Sequence, residues 1–300
     1  MQSPREIRRR IRSISSTAQI TRAMQMVAAS KMRKIQEATV DMRPFVRVLY
    51  RIQLAATSHV GEFTHPLLQV REVRKRAVIL IGTDKGLCGP LNSNLFRLAA
   101  QFDPGSTVFI TAGRKAAQFV ARSGRQLVAE FAFSDTPRLP EARAIAAFAC
   151  DLFLKGEVDQ VLVITTQFVN TLTQNPVCLE YLPVGDIEIT GMHIPGVEPK
   201  DVQVPGVELK DEPTEDTTET LFEPSPEAAL SYLLSHYVNI YIHHALQNAK
   251  ASEQSARMVS MKNATDNAEG LIRDLTLEYN KLRQSNITQE LLEIAGGQAG

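Results

Sequence analysis

Cysteine is scarce in this chain of 300 residues: Cys88, Cys150 and Cys178 lie far apart and form no CxxC. That spacing indicates neither a disulfide framework nor a zinc site, and it fits a reducing compartment. Long apolar runs are also missing. No stretch approaches the roughly eighteen residues needed to span a bilayer, and the first residues lack the apolar segment of a secretory signal. The expectation is a soluble chain, or one held at a membrane only through partners, with no direct membrane insertion. Aromatic residues make up 6% of the sequence, little for stacking on nucleic-acid bases. GxSxG, HExxH and a Cys/His nucleophile arrangement are absent too, so no catalytic constellation and no cofactor are expected.

Helix-breaking residues are missing from both ends of the chain. After Pro226 there is no proline, and Gly270 is the one glycine before Gly296. A helix from Glu227 to Ala295 would be on the order of 100 Å long, too long to fold inside one compact core, so a shaft, spacer or coiled coil is expected. At the other end, Ser3-Pro4-Arg5-Glu6 combines a capping serine, a proline at the first helical position and a glutamate three residues after the cap. No Gly or Pro follows until Pro44, which should bend or break the helix without necessarily ending it, and Gly61 closes the segment.

Positions 7, 11, 14, 18, 21, 25, 28, 32, 35, 39, 42, 46 and 49 alternate steps of four and three and hold mostly apolar residues. They form a heptad seam with a thin, polar middle at Ala18, Thr21, Gln25 and Ala28. On the C-terminal segment, Ala245, Ala249, Ser252, Ala256 and Val259 form a seam of small residues that suits it, and Leu271, Leu275 and Leu282 are expected to restore larger contacts. If both helices leave the middle of the chain in the same direction, the C-terminal one is longer by more than ten residues, on the order of 20 Å. Its apolar end, Leu291, Leu292, Ile294 and Ala295, then needs a surrounding partner.

Formal net charge is zero but unevenly spread. Met1 to Arg76 carries sixteen Lys+Arg against five Asp+Glu, while Glu198 to Glu219 carries eight acids against two lysines. The basic arm reads either as a solvated helix face or as a surface for an acidic partner.

The middle alternates apolar strands with helices: strands at 77–81, 107–111, 126–133 and 160–166, helices at about 91–102, 114–122 and 141–154. That pattern predicts a parallel, helix-covered α/β sheet. Between about Gly185 and Pro224 it dissolves into Pro, Gly and acids, with Ile194-Pro195-Gly196-Val197-Glu198 echoed by Val204-Pro205-Gly206-Val207-Glu208, which reads as a surface insertion. The expected organisation is an N-terminal coiled-coil helix at 1–60, an α/β domain at 61–224 carrying the insertion at about 185–224, and a C-terminal coiled-coil helix at 225–300.

Two groups of residues invite a chemical reading. Thr83-Asp84-Lys85-Gly86-Leu87-Cys88-Gly89 follows a strand and precedes a helix, where phosphate-binding loops occur, but it matches neither GxGxxG nor GxxxxGK[ST]. His236, His243 and His244 share a helical spacing without an accompanying Asp, Glu or Cys ligand, so packed or solvent-facing histidines are expected rather than a metal site.

Four runs carry a resemblance that covers nearly the whole chain. They are Ile20 to Lys34, containing Met24 and Lys31-Met32-Arg33-Lys34; Asp84-Lys85-Gly86-Leu87-Cys88-Gly89 followed by Asn92 and Asn94; Ser252 to Asn267, containing Arg257; and Ile287 to Ile294. In this order they resemble the gamma subunit of the F-type ATP synthase.

The resemblance implies an α/β fold class, with a long antiparallel coiled coil of the two terminal helices and a central Rossmann-like α/β domain. It implies a central-stalk rotor of a proton-translocating enzyme, itself non-catalytic. Its partners would be the alpha and beta subunits of the catalytic head, the epsilon subunit and the c-ring, at the cytoplasmic face of a bacterial inner membrane, with no nucleic acid.

Carried over by motif, Met24, Lys31, Arg33 and Lys34 would lie near acidic beta loops. Arg257, Gln284, Thr288 and Gln289 would contact beta higher up, and Leu291, Leu292 and Ile294 would form the sheathed tip. Asp84 and Lys85 would approach the lower surface of the head. The 185–224 stretch departs from the short form of the family and holds no cysteine, so thiol switching is not expected. Two other readings stay open from the residues alone: a free α/β nucleotide-using enzyme with helical arms, and a basic coiled-coil nucleic-acid binder.

Overall fold

The computed structural model describes residues 3–57, 64–184, 223 and 225–297, with side chains described for all of these except 39–57, 290 and 293–297. The decapeptide echo and the acidic insertion lie outside the described residues. The chain divides into two compact units, Met1–Ser30 with Arg257–Gly300, and Lys31–Ala256. Two long helices, α1 (Pro4–Thr57) and α5 (Pro226–Gly297), each contribute to both.

The first unit pairs the start of α1 with the later part of α5. The cap at Ser3 forms as its residues dictate: the Glu6 amide donates to Ser3 Oγ and the Ser3 amide to Glu6 Oε2. Along α1 the predicted seam faces inward. Ile7, Ala18, Thr21 and Ala28 are buried and Ile11, Ile14 and Gln25 half-buried, while nearly every position between them is exposed. Its polar middle is met in kind, because Thr21 Oγ1 and Thr265 Oγ1 share a buried hydrogen bond of 2.7 Å and Thr265 also donates to the Met261 carbonyl.

On α5 the seam runs through Met261, Thr265, Ala268, Ile272, Leu275, Tyr279 and Leu282. Leu271, expected at the seam, is 53% exposed. Seven residues of an α-helix fall slightly short of two full turns, so a register set by the small residues before Val259 drifts off the contact face farther on. Running the helices in opposite directions from the Thr21–Thr265 contact sets Pro4 opposite Leu282. Burial stops there: 283–289, Leu291 and Leu292 are exposed.

The second unit is built on a five-stranded sheet in the order β3-β2-β1-β4-β5. Strands β1 (Arg76–Ile81), β2 (Thr107–Ala112), β3 (Gln126–Phe131) and β4 (Gln160–Phe168) are parallel, as their apolar runs predicted. The fifth strand, β5 (Gln174–Leu182), was not anticipated and corrects the all-parallel expectation: it returns antiparallel to β4. The connecting turn is tied by Asn170, whose Oδ1 accepts from the Leu172 and Thr173 amides.

Residues alternate between two faces of the sheet. Val78 and Leu80 pack with α2 (Leu91–Ala99) and α3 (Arg114–Arg122), where Phe96 and Phe119 stack at 4.6 Å. Ala77, Ile79 and Ile81 face α4 (Leu139–Leu154) and α5, whose Leu234, Val238, Ile242, Ala245, Leu246 and Ala249 join that core. Two tyrosines bind α5 to β5: Tyr181 Oη donates to the Val238 carbonyl at 3.1 Å and Tyr241 Oη to the Glu180 carbonyl at 3.2 Å. Burial raises the pKa of both phenols, so they stay protonated donors.

Where β2 turns into α3, Gly113 has φ +95° and a Cβ there would meet the Gly82 carbonyl oxygen at 2.4 Å. Gly124, at φ +65°, has open space around it. Gly113→Ala is therefore expected to cost on the order of 3 kcal/mol in denaturant unfolding, against about 1 kcal/mol for Gly124→Ala. Equal costs would mean that the Gly82–Gly113 approach is not a constraint on the fold.

Candidate functional site

The Thr83–Gly89 turn stands at the carboxyl end of β1, beside β4, where the sheet order reverses and ligands of doubly wound folds bind. Its own residues are turned inward. Thr83 Oγ1 donates to the Lys85 carbonyl and accepts from Asn92 Nδ2, which also reaches Cys88 Sγ. Asp84 Oδ1 accepts the Arg114 amide at 3.1 Å, so a carboxylate of the chain occupies the start of α3, the place a phosphate would take.

The crevice itself is filled by α5. Thr165 donates to the Ala245 carbonyl, Ser252 to the Thr166 carbonyl and Ser255 to the Thr171 carbonyl, while Ala256 packs on Cys88 and Leu91. A helix of the same chain thus sits where a nucleotide would lie. Leu87, at φ +63° and 61% exposed, is held outward at the crown of the turn together with exposed Lys85.

Below the turn lies a cluster of charge. Lys250 is 1% exposed, yet its Nζ lies 3.1 Å from Glu253 Oε2, 3.6 Å from Asp84 Oδ2 and 3.9 Å from Asp135 Oδ1, and 4.6 Å from the centre of the Phe133 ring. Asp135 also receives Lys31 Nζ at 2.6 Å. That hydrogen bond chiefly holds the Asp135 carboxyl below the usual range, with the charges of Lys31, Lys250 and Lys85 adding and partial burial opposing.

Of the residues singled out from the sequence, Lys31 and Asp84 meet in this cluster. Arg33 and Lys34 are exposed on α1. Met24 is half-buried, and Arg257 is 8% exposed. Gln284, Thr288, Gln289, Leu291 and Leu292 are exposed on the last turns of α5, where Thr288 Oγ1 donates to the Gln284 carbonyl. The side chain of Ile294 lies outside the described residues. Sequence reasoning missed Lys250, Asp135, Glu253 and Phe133. The one local signal was a lysine and a glutamate within a helical stretch rich in small and uncharged residues.

The histidines are packed. His243 Nε2 is 3.1 Å from the Pro137 carbonyl, His244 Nδ1 is 3.1 Å from Asn248 Nδ2, and His236 stands edge-on to Tyr232. Burial lowers the pKa of His243, and it lowers that of His244 to about 4, from 6.5. A base with a depressed folded pKa contributes stability that is fully present above pH 6.5 and is lost as pH falls through about 4. For His244 the difference is roughly 3 kcal/mol. The melting temperature is expected to fall between pH 6.5 and 4, and His244→Gln to flatten part of that fall. An unchanged pH slope in the variant would refute the assignment.

The family model described as ATP synthase matches residues 3–300. The chain is 46% identical to the ATP synthase gamma chain of Opitutus terrae, covering 99% of this chain and 98% of the relative. It is 41% identical to that of Methylacidiphilum infernorum, covering 99% of each. Among solved structures it resembles a chain of the Euglena gracilis mitochondrial ATP synthase in rotational state 3, with a TM-score of 0.63 at 18% identity over 99% of this chain and 93% of that one. A chain of the Tetrahymena thermophila mitochondrial central stalk and c-ring gives a TM-score of 0.56 at 23% identity, covering 82% of this chain and 99% of that one. At these identities the likeness is one of fold.

Proposed function

The chain belongs to the ATP synthase gamma-chain family, and from that premise we propose that it is the central-stalk rotor of a proton-translocating F-type ATP synthase, passing rotation between the membrane c-ring and the alpha/beta head. Its role is mechanical and non-catalytic. The observation that carries this reading is the change in α5 along its length. It is buried on nearly all sides from Ile240 to Arg257, buried along one stripe from Met261 to Leu282, and exposed at 283–289, Leu291 and Leu292. A helix that ends in bare Ile287, Leu291 and Leu292, at 47%, 61% and 68% exposure, calls for a sheath from other polypeptides.

In this reading alpha and beta subunits surround the exposed end of α5, with Gln284, Thr288, Gln289, Leu291, Leu292 and Ile294 in the bearing. Met24 and Arg257 lie on the coil, and Arg33 and Lys34 offer exposed positive charge to acidic loops of beta. Lys31 is already engaged by Asp135 of its own chain, so it contributes to those loops less than its neighbours. Lys85 and Leu87 are the outward members of the β1–α2 turn and face the lower surface of the head. The epsilon subunit and c-ring engage the α/β unit. No described helix is long and apolar enough to cross a membrane. With bacterial relatives, this supports a peripheral position at the cytoplasmic face of the inner membrane.

Two features suit the chain to carrying torque. The small and polar seam lets two backbones approach closely, and the buried Thr21–Thr265 contact resists sliding of one helix on the other. The filled crevice at the β1–β4 switch point favours this reading over a free nucleotide-using enzyme.

A tagged chain is expected to copurify with alpha and beta subunits, and vesicles carrying the complex to acidify on ATP addition. In that assay Arg257→Ala with Gln284→Ala should lower proton pumping per ATP hydrolysed about fivefold, the equivalent of one hydrogen bond of about 1 kcal/mol, while assembly persists. Pumping equal to that of the unaltered complex would exclude these two residues from coupling.

A further inference from the structure

The charge cluster around Lys250 joins four segments of the α/β unit. It draws one residue from α1 (Lys31), one from the β1–α2 turn (Asp84), two from the segment between β3 and α4 (Phe133, Asp135) and two from α5 (Lys250, Glu253). Lys31 is the first residue of the α/β unit, and Lys250 and Glu253 lie on the last two turns of α5 before that unit ends at Ala256. Both long helices are therefore fixed to the sheet's loops within two turns of the points where they leave it.

Burying an ammonium costs several kcal/mol before its partners repay it, and an apolar side chain of similar volume is often as stable in such a place. What a buried ionic cluster adds is a defined geometry: the ammonium, held by Glu253 of its own helix, must keep its distance to Asp84 and Asp135 on two other segments at once. A greasy contact tolerates a small rotation of a helix about its own axis, whereas this one does not. Asp84 is constrained twice, because its other oxygen holds the start of α3.

We propose that the Lys250 cluster is a torsional clamp, which sets the rotation of α1 and α5 against the sheet so that torque entering the α/β unit passes into both helices together. The proposal rests on the rotor reading given above. Lys250 is thus a positioning residue: it touches no partner, and its effect on coupling runs through the helices and the β1–α2 turn.

The test uses the whole complex in vesicles and compares three variants with the unaltered chain. Lys250→Met with Glu253→Gln removes one buried charge of each sign. Lys250→Arg keeps the cation. Lys155→Met removes a surface lysine paired with Asp151 on α4, far along the chain from the cluster. The neutral pair is expected to hydrolyse ATP within about twofold of the unaltered complex but to pump about threefold fewer protons per ATP, and Lys250→Arg to recover most of the loss. Lys155→Met should keep the original ratio.

An unchanged pumping-to-hydrolysis ratio in the neutral pair overturns the clamp, including when its melting temperature is lower, since that is the result mere packing would give. Should the neutral pair fail to assemble, Asp135→Asn on the half-exposed side of the cluster decides: a lowered ratio supports the clamp and an unchanged one overturns it. A complex that lacks alpha and beta, or unaltered vesicles that do not pump, would instead overturn the rotor reading on which the clamp rests.

Discussion

Burial of α5 between Ile240 and Arg257 is the constraint on which the rest of the α/β unit depends. A helix hidden on nearly all sides has few places to put polar side chains, yet this stretch carries Gln247, Lys250, Ser252, Glu253, Gln254 and Ser255, all under 9% exposed. Each buried polar group must find a partner or cost free energy. Ser252 and Ser255 find backbone carbonyls on and just beyond β4, and Thr165 of β4 reciprocates toward Ala245. These bonds cross from helix to sheet at the carboxyl ends of the strands, so the helix is seated by direction as well as by apolar area. The opposite face of the sheet is closed by α2 and α3 around Phe96 and Phe119, and Arg125 ties the end of α2 by donating to the Ala100 and Phe102 carbonyls.

The two units use small residues for different ends. In the α/β unit, Ala245, Ala249, Ser252 and Ala256 let α5 lie close against the sheet and the β1–α2 turn. In the coiled-coil unit, Ala18 and Ala28 flank Thr21 on α1, and Ala268 follows Thr265 on α5. Such a seam buries little apolar area, and at about 25 cal/mol per Å² it gains correspondingly little. Its merit is register. A slip of the pair would break the Thr21–Thr265 hydrogen bond and leave each hydroxyl only the carbonyl of its own helix, Ala18 for Thr21 and Met261 for Thr265.

Much of this was legible in the chain. The cap at Ser3, the seam from Ile7 to Ile35 and the strands β1, β2 and β4 follow from local pattern, because each is a periodic run longer than its own turns. β5 was not, since Gln174-Asn175-Pro176 opens it with residues that favour turns, and its apolar positions from Val177 to Leu182 are too few to show a period. Leu271 was misplaced because a seam read from small residues carries a weak phase, and the next residue, Ile272, is the one that faces inward. The charge cluster was illegible for a different reason. Lys31, Asp84, Asp135 and Lys250 are separated by scores of residues, and nothing in the neighbourhood of any one marks it for the others. The fold alone brings them together.

The cluster also alters how the basic arm is to be understood. Sixteen Lys+Arg in the first 76 residues look like one surface, but they divide by what they touch. Lys31 is spent internally on Asp135, and Arg22 is paired with Glu269 across the coil. Arg71 lies over the Phe153 ring at 4.6 Å and donates to the Phe153 carbonyl, while Arg76 donates to Gln160. The described part of α1 also carries exposed cations at Arg5, Arg8, Arg9, Arg10 and Arg12 near its start, and at Arg33 and Lys34. Among the described residues these exposed cations fall into two groups along the helix, and the field of each falls off within about 10 Å at 0.1 M salt.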